Sequence, residues 1–233
     1  MSWLVVTLAM YRRVFRRATE LTVRSWAVFG ALFVYVAAMQ LAAVVAARLG
    51  FLGGIVLSLV WAACVGSFLH LVEMMVRSGT ASFEDFRRSF GVYVWDVVGV
   101  TFLLWVFFAV VTPLLATMPQ GRGIVLGLEL VVVVLFNAVP ELIYLGHCSS
   151  VDLLAQSYAF ISENWIEWFP ATLALAALAL WFGALPFTGL LGWLQDALIA
   201  LLVVFTMVVR GLLFLELHGS SRRGRAFRYR MGG

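Results

Sequence analysis

Seven ionisable side chains lie within or at the ends of long apolar runs, and they are the first candidates for chemistry. An ionisable group near the centre of a bilayer costs about 2.5 to 3.5 kcal/mol on insertion scales, so its presence suggests a function. Acids, imidazoles and a guanidinium at similar depth could relay protons or anions, or bind a lipid headgroup. We expect Arg210 to pair with Glu141 or Glu73, with His70 nearby. The ionisable residues could equally form a structural ion pair that fixes helix packing, or extend their charged ends to the cytoplasmic interface. The seven residues are His70, Glu73, Glu141, His147, Arg210, Glu216 and His218.

Nucleophilic catalysis has one candidate, the adjacent pair His147 and Cys148. A neighbouring base can activate a thiol. However, adjacent residues on a helix point about 100° apart, and no third group is placed to orient this pair. The sequence also contains no phosphate-binding loop and no zinc-ligand spacing. We therefore predict a non-enzymatic protein with no catalytic residue, cofactor or metal site.

The elements that must position these residues are six apolar runs. The chain is 64% hydrophobic and only 12% charged, whereas soluble domains are about 25% charged. About 20 apolar residues are needed for a helix to cross a hydrocarbon core of about 30 Å. In the fourth run, Pro140 leaves a backbone carbonyl one turn earlier that needs a partner from a neighbouring element. The six runs are residues 26–47, 51–76, 97–115, 124–145, 169–187 and 197–217.

The arginines predict the orientation of these runs. All 16 basic residues are arginine, and 13 of them precede the first run, separate the second from the third, or follow the sixth. Only Arg48 and Arg122 lie in the opposite turns. The positive-inside rule then places both termini in the cytoplasm, in what we expect to be a bacterial plasma membrane. Basic clusters beside apolar runs indicate membrane lipids, including anionic ones, rather than nucleic acid. Another membrane protein or a second copy of the chain is the other predicted partner.

The pattern of apolar and basic side chains in residues 3–24 predicts a helix that lies in the headgroup layer. The apolar residues Tyr11, Val14, Phe15, Ala18 and Leu21 follow helical spacing, and arginines occupy the other side, as in interfacial helices. The alternative is a cytosolic helix covered by the rest of the protein. A second surface helix is predicted after Ser82, which forms a capping-box pattern with Asp85, and we expect it to continue into the third run. The predicted lipid-headgroup contacts are Arg12, Arg13, Arg16, Arg17, Arg87 and Arg88.

One unit recurs along the chain. Residues 86–88 repeat the Phe-Arg-Arg of residues 15–17 after 71 positions. A third surface segment, 146–168, precedes the fifth run and contains no arginine. We expect the fifth run to begin a new helix with Pro170 near its first turn, where proline is tolerated. We therefore predict one all-α integral membrane domain, residues 1–233, with six transmembrane helices as three hairpins, each preceded by an amphipathic interfacial helix. Repeats in one orientation imply an axis along the membrane normal, and hence a pseudo-threefold bundle. The repeat units are about 11–79, 80–150 and 151–221, followed by a basic tail, 222–233.

This layout, and the stretch SGTASFEDFRRSF at residues 78–90, resembles a known membrane module. The module has six helices and precedes the catalytic domain of some bacterial glycerophosphodiester phosphodiesterases, and related stand-alone bacterial membrane proteins have a similar plan. The resemblance covers residues 10–220 and implies a fold and a location. It implies no active-site residue, because we expect no soluble segment in this sequence that could hold the phosphodiesterase domain.

Two functions follow as expectations. The first is a non-enzymatic integral membrane module that binds lipid or a partner membrane protein. The alternative is a transporter or channel component for a small solute or ion, with Arg210, Glu141, Glu73 and His70 as its conduction or coupling site. A transporter predicts that Arg210→Ala abolishes a flux in folded protein, whereas a structural ion pair predicts loss of the folded protein.

Overall fold

The structure is a computed structural model, and it describes residues 3–146 and 150–218. Six of its helices are long and apolar enough to cross a membrane, with α6 and α7 counted together as one span. The prediction of an all-helical protein with six helices of membrane-spanning length is therefore confirmed. Within the described ranges the helices are α1 (Trp3–Arg24), α2 (Ala27–Ala46), α3 (Phe51–Ser78), α4 (Phe83–Ser89), α5 (Val94–Ala116), α6 (Gly121–Leu135), α7 (Val139–Leu145), α8 (Ser150–Gly183) and α9 (Leu190–Leu217).

Residues 150–168 of the third surface segment and residues 169–183 of the fifth apolar run form one continuous helix, α8. The sequence predicted a boundary near residue 168, with Pro170 in the first turn of a new helix, and this was wrong. Pro170 lies inside α8, which has 34 residues. An interior proline removes one backbone hydrogen bond and bends a helix without having to end it. At 1.5 Å per residue α8 is about 51 Å long, so a core of about 30 Å can enclose only part of it.

The second surface helix, in contrast, does not continue into the third span. α4 ends at Ser89 and α5 begins at Val94. Gly91 has a φ of +101° in the connection, a backbone conformation that glycine adopts without the steric cost of a Cβ. The start of α4 has the predicted capping box: the Ser82 amide donates to Asp85 Oδ2 at 2.8 Å, and the Asp85 amide donates to Ser82 Oγ at 3.2 Å.

The fourth span is broken between α6 and α7, close to Pro140. The amide of Val139 donates to the carbonyl of Phe136 at 3.2 Å. Because this hydrogen bond spans three residues and not the usual four, the amide of Val139 does not donate to the carbonyl of Leu135, as it would in a regular α-helix. The hydroxyl of Ser157, from α8, donates to that carbonyl at 3.0 Å. A neighbouring helix thus supplies the partner that the proline made necessary.

The chain divides into two compact units. The first comprises Met1–Val36, Leu71–Arg87 and Asn164–Gly233, and the second comprises Ala37–His70 and Arg88–Glu163. In the first unit, α1 packs against α9. It buries a stripe of side chains at helical spacing, namely Val6, Met10, Val14, Ala18 and Leu21. In the second unit, α5 packs against α6, and Leu142, Tyr144 and Leu153 are fully buried.

α3 approaches the start of α5 closely within the second unit. A Cβ placed on Gly66 would lie 3.0 Å from both the carbonyl carbon of Tyr93 and the amide nitrogen of Val94. One residue further along α3, the hydroxyl of Ser67 forms a hydrogen bond with that of Ser89 at the end of α4. The small residues at positions 66 and 67 therefore allow the helices to meet at backbone distance.

Candidate functional site

The predicted intramembrane cluster includes residues of both units. His70 and Glu141 belong to the second unit, and the first unit contains Glu73, Arg210, Glu216 and His218. His147 lies outside the described residues, as does the basic tail. The pairing of Arg210 with Glu141 therefore stays a prediction.

In the second unit, Glu141 is completely buried in the first turn of α7. His70 is half-buried, and the centre of its ring lies 6.1 Å from that of Tyr93. Burying a carboxyl group is costly unless other groups compensate for the lost water. Glu141 therefore stays a candidate for a role in packing or in transport.

In the first unit, Arg210 lies over the ring of Trp168, with 5.2 Å between the guanidinium carbon and the ring centre. This is a cation–π distance, and Trp168 is fully buried. Glu73 forms an ion pair with Arg77 on its own helix at 3.3 Å. Its predicted pairing with Arg210 stays a prediction. His218, just after α9, stacks on Phe214 with 4.8 Å between ring centres.

Tyr11 and Glu167 contact each other next to Trp168, the residue under Arg210. Neither was predicted from the sequence as a site residue. The Tyr11 hydroxyl donates to the backbone carbonyl of Glu167 at 2.7 Å, and Glu167 is only 2% exposed. Burial, and secondly the carboxylate of Glu167, raise the pKa of Tyr11 from 10.0 to about 12. A half-buried tyrosine beside the buried stripe of α1 signals that its hydroxyl needs a partner. The partner lies 156 residues away, so local pattern could not identify it.

A cavity of about 410 Å³ lies between α1, the end of α3 and the end of α9, all in the first unit. We call it the arginine cavity. Arg13 and Arg17 are four residues apart and so line it from the same side of α1. Most of the remaining wall is apolar, with one carboxylate. The residues that define the cavity are Arg13, Arg17, Val76, Leu212, Leu215 and Glu216.

All six arginines predicted to contact lipid are exposed, and four of them do not line the arginine cavity. Arg16 pairs with Glu20 at 3.2 Å on the exposed side of α1. Arg87 lies 3.9 Å from Glu84 on α4. Arg12 and Arg88 are also exposed. Exposed charges of this kind interact weakly and are screened by salt. Of the six predicted arginines, Arg13 and Arg17 are therefore the pair that a cavity brings together.

No group of three or more His, Cys, Asp or Glu side chains in residues 3–146 and 150–218 is placed to hold a metal ion. Comparison of the chain with protein-family models found no match, and none was found among curated proteins or solved structures.

Proposed function

We propose that this chain is a non-enzymatic membrane module that binds an anionic lipid in the arginine cavity. The observation that carries the proposal is the lining of the cavity, in which two guanidinium groups stand beside apolar side chains from α3 and α9. A phosphate accepts charge-assisted hydrogen bonds from arginine. The glycerol and upper acyl carbons next to that phosphate suit an apolar wall. An anionic phospholipid presents both chemistries together.

The burial of α1 supports a position in the headgroup layer. Its buried stripe faces the first unit, while Arg12, Arg13, Arg16 and Arg17 are all exposed. Val5, Leu8 and Val23 are also exposed on α1, as expected of a helix in contact with both headgroups and acyl chains. In this proposal α1 lies along the cytoplasmic face of a bacterial plasma membrane, with the arginines at the level of the phosphates.

The orientation and the repeat belong to the same proposal. Both termini lie in the cytoplasm, and the six spans form three hairpins around a pseudo-threefold axis. The first two hairpins follow the separate helices α1 and α4, and the third follows the first half of α8, which continues into the fifth span. The similarity in layout to the membrane module of glycerophosphodiester phosphodiesterases supports this arrangement. Labelling of single cysteines with an impermeant maleimide tests it: Arg87→Cys is expected to react only from the cytoplasmic side. Reaction of that cysteine from the outside would overturn the orientation.

Glu216 gives the arginine cavity a second, opposite test. Its carboxylate lines the same cavity as the two arginines, so it competes with an anionic headgroup for their charge. Glu216→Gln is therefore expected to strengthen the binding of anionic lipid, whereas Arg13→Gln and Arg17→Gln weaken it. A general change in surface charge would give the same signs, so the control is Glu84→Gln on α4, which makes the same change in charge away from the cavity and should leave lipid binding unchanged.

The test is native mass spectrometry of protein purified in mild detergent from membranes that contain phosphatidylglycerol. The wild-type protein is expected to retain this lipid, and Arg13→Gln/Arg17→Gln is expected to retain fewer molecules of it. The control is Arg87→Gln/Arg88→Gln, which removes the same charge from exposed positions on α4. Equal retention by both double variants, in protein with unchanged helix content, would refute the proposal.

Glu141 supports a second candidate function, the transport of a small solute or ion. It is a fully buried carboxyl group in a span that is interrupted at residues 136–138. Broken helices beside buried ionisable groups are found at the binding sites of transporters. Proteoliposomes with a pH-sensitive dye test this candidate. A proton flux that Glu141→Gln abolishes in folded protein would favour transport, and equal dye response with and without the protein would reject proton transport.

A further inference from the structure

A second cavity of about 310 Å³ lies between α1, the end of α8 and the first half of α9. We call it the apolar slot. All its lining residues belong to the first unit, and none of these described residues is charged. The Thr19 hydroxyl donates to the carbonyl of Phe15 at 3.0 Å and so is already used within α1. Residues that define the slot are Thr22, Val23, Leu178, Phe182, Leu198 and Phe205.

The slot and the arginine cavity open on different sides of α1. Helical residues turn by about 100° each, so Arg13 and Thr22, nine positions apart, point in nearly opposite directions. Arg17 and Val23 point about 120° apart by the same reasoning. The slot is therefore not an extension of the arginine cavity, and a ligand in one does not reach the other around α1.

The slot can be entered from the side that faces lipid. Its walls on α8 and α9 belong to two of the candidate membrane spans. At its edge, Val23 is 72% exposed and Leu198 is 49% exposed. Its volume is at the lower end of the range of about 300 to 1,000 Å³ for ligand pockets. A single hydrocarbon chain suits such a slot, and leaving it empty would cost the contacts of its lining atoms.

A charged group lies near the slot along α1. Arg12, Arg16, Thr19 and Val23 follow spacings of four, three and four residues, which place them on one stripe of the helix. Arg16 precedes Thr19 by one helical turn, and its Nε pairs with Glu20 Oε1 at 3.2 Å, so its side chain extends along α1 towards the end of the slot that Thr19 lines. An occupant with an apolar chain and an anionic headgroup complements this arrangement.

We propose that the apolar slot holds one acyl chain of an anionic phospholipid whose phosphate lies beside Arg12 and Arg16. This second site shares with the proposed function only the placement of α1 in the headgroup layer. The acyl chain gains little from leaving the bilayer, because lipid tails are as apolar as the slot. Preference for this site therefore comes from filling the slot and from the two arginines.

The experiment uses the full chain in nanodiscs that contain phosphatidylglycerol with a photoreactive diazirine in one acyl chain. After irradiation, the labelled peptides are identified by mass spectrometry. Adducts are expected at residues 178–182 and 198–205, above the level found along the rest of α9. Val23→Trp, at an exposed position on the edge, is expected to remove them. The matched control Leu194→Trp, on exposed α9 surface outside the slot, is expected to leave them unchanged.

The headgroup is tested by repeating the labelling with phosphatidylcholine. Each arginine near a membrane surface favours anionic lipid by about fivefold, so Arg12→Gln/Arg16→Gln should reduce the preference for phosphatidylglycerol roughly 25-fold. Arg13→Gln/Arg17→Gln should leave slot adducts unchanged, even if it removes retained lipid from the arginine cavity. If slot adducts form but the wild-type protein retains no lipid at Arg13 and Arg17, the proposed function is refuted and the slot proposal is not. Uniform labelling along α9 that Val23→Trp does not change would contradict the proposed lipid site in the slot.

Discussion

The hydroxyl of Tyr11 donates a 2.7 Å hydrogen bond to the backbone carbonyl of Glu167, and so joins α1 to α8. The acceptor lies three residues before Pro170, in the turn where an interior proline disturbs the helical hydrogen bonding. α1 also packs on α9. These contacts fix the position of the helix that carries Arg13 and Arg17, and with it one wall of the arginine cavity.

The burial of Tyr11, and secondly the nearby carboxylate of Glu167, predict a late titration for Tyr11. The fold raises the pKa of Tyr11 from 10.0 to about 12, so it favours the neutral phenol. The stability that Tyr11 contributes is therefore fully present below about pH 10 and is lost as the pH rises towards 12. The absorbance of tyrosinate, taken as wild type minus Tyr11→Phe, is expected to rise near pH 12. A difference spectrum that titrates near pH 10 would contradict the burial of Tyr11 beside Glu167.

Ser157 is predicted to stabilise the break between α6 and α7. Ser157→Ala removes the donor to the carbonyl of Leu135 and leaves a part-buried acceptor without this hydrogen bond. The expected loss is about 1 to 3 kcal/mol in the free energy of unfolding, measured by denaturant titration in detergent. Ser162→Ala is the control, because the exposed hydroxyl of Ser162 donates only to the nearby carbonyl of Ala159. Equal losses in the two variants would argue against the role of Ser157.

Gly66 is predicted to be required for the contact between α3 and α5. In Gly66→Ala the new methyl group would lie 3.0 Å from two backbone atoms of residues 93 and 94, and backbone cannot move aside as a flexible side chain can. Overpacking of this kind costs about 1 to 3 kcal/mol. Gly54→Ala, also on α3, meets no atom within 4 Å and should be neutral or slightly stabilising. Thermal unfolding of the two variants distinguishes them, and equal midpoints would contradict the close approach.

Features that depend on a short window of sequence could be predicted. The six apolar helices follow from runs of about 20 residues, and the capping box of α4 depends only on Ser82 and Asp85. The connections were less predictable. Whether Pro170 ends or bends a helix, and whether Gly91 breaks one, depends on how neighbouring helices pack around them.

The candidate site was only partly predictable for the same reason. The sequence pattern predicted six lipid-contacting arginines, four on α1 and two on α4. A cavity forms at two of these six, Arg13 and Arg17, because residues 212–216 of α9 pack beside them. That contact joins residues about 200 positions apart in the sequence. The roles of Glu167 and Trp168 were missed because the sequence placed them on a separate surface helix, whereas α8 is continuous.

Anionic-lipid binding at Arg13 and Arg17 is tested most directly by the dissociation constant for short-chain phosphatidylglycerol, measured by calorimetry in detergent. Two arginines near a membrane surface contribute about 1 kcal/mol each, so Arg13→Gln/Arg17→Gln should weaken binding roughly 25-fold. Arg87→Gln/Arg88→Gln, with the same change in charge, should bind as the wild-type protein does. Equal dissociation constants for all three proteins, or an equal loss in both variants, would contradict a lipid site in the arginine cavity.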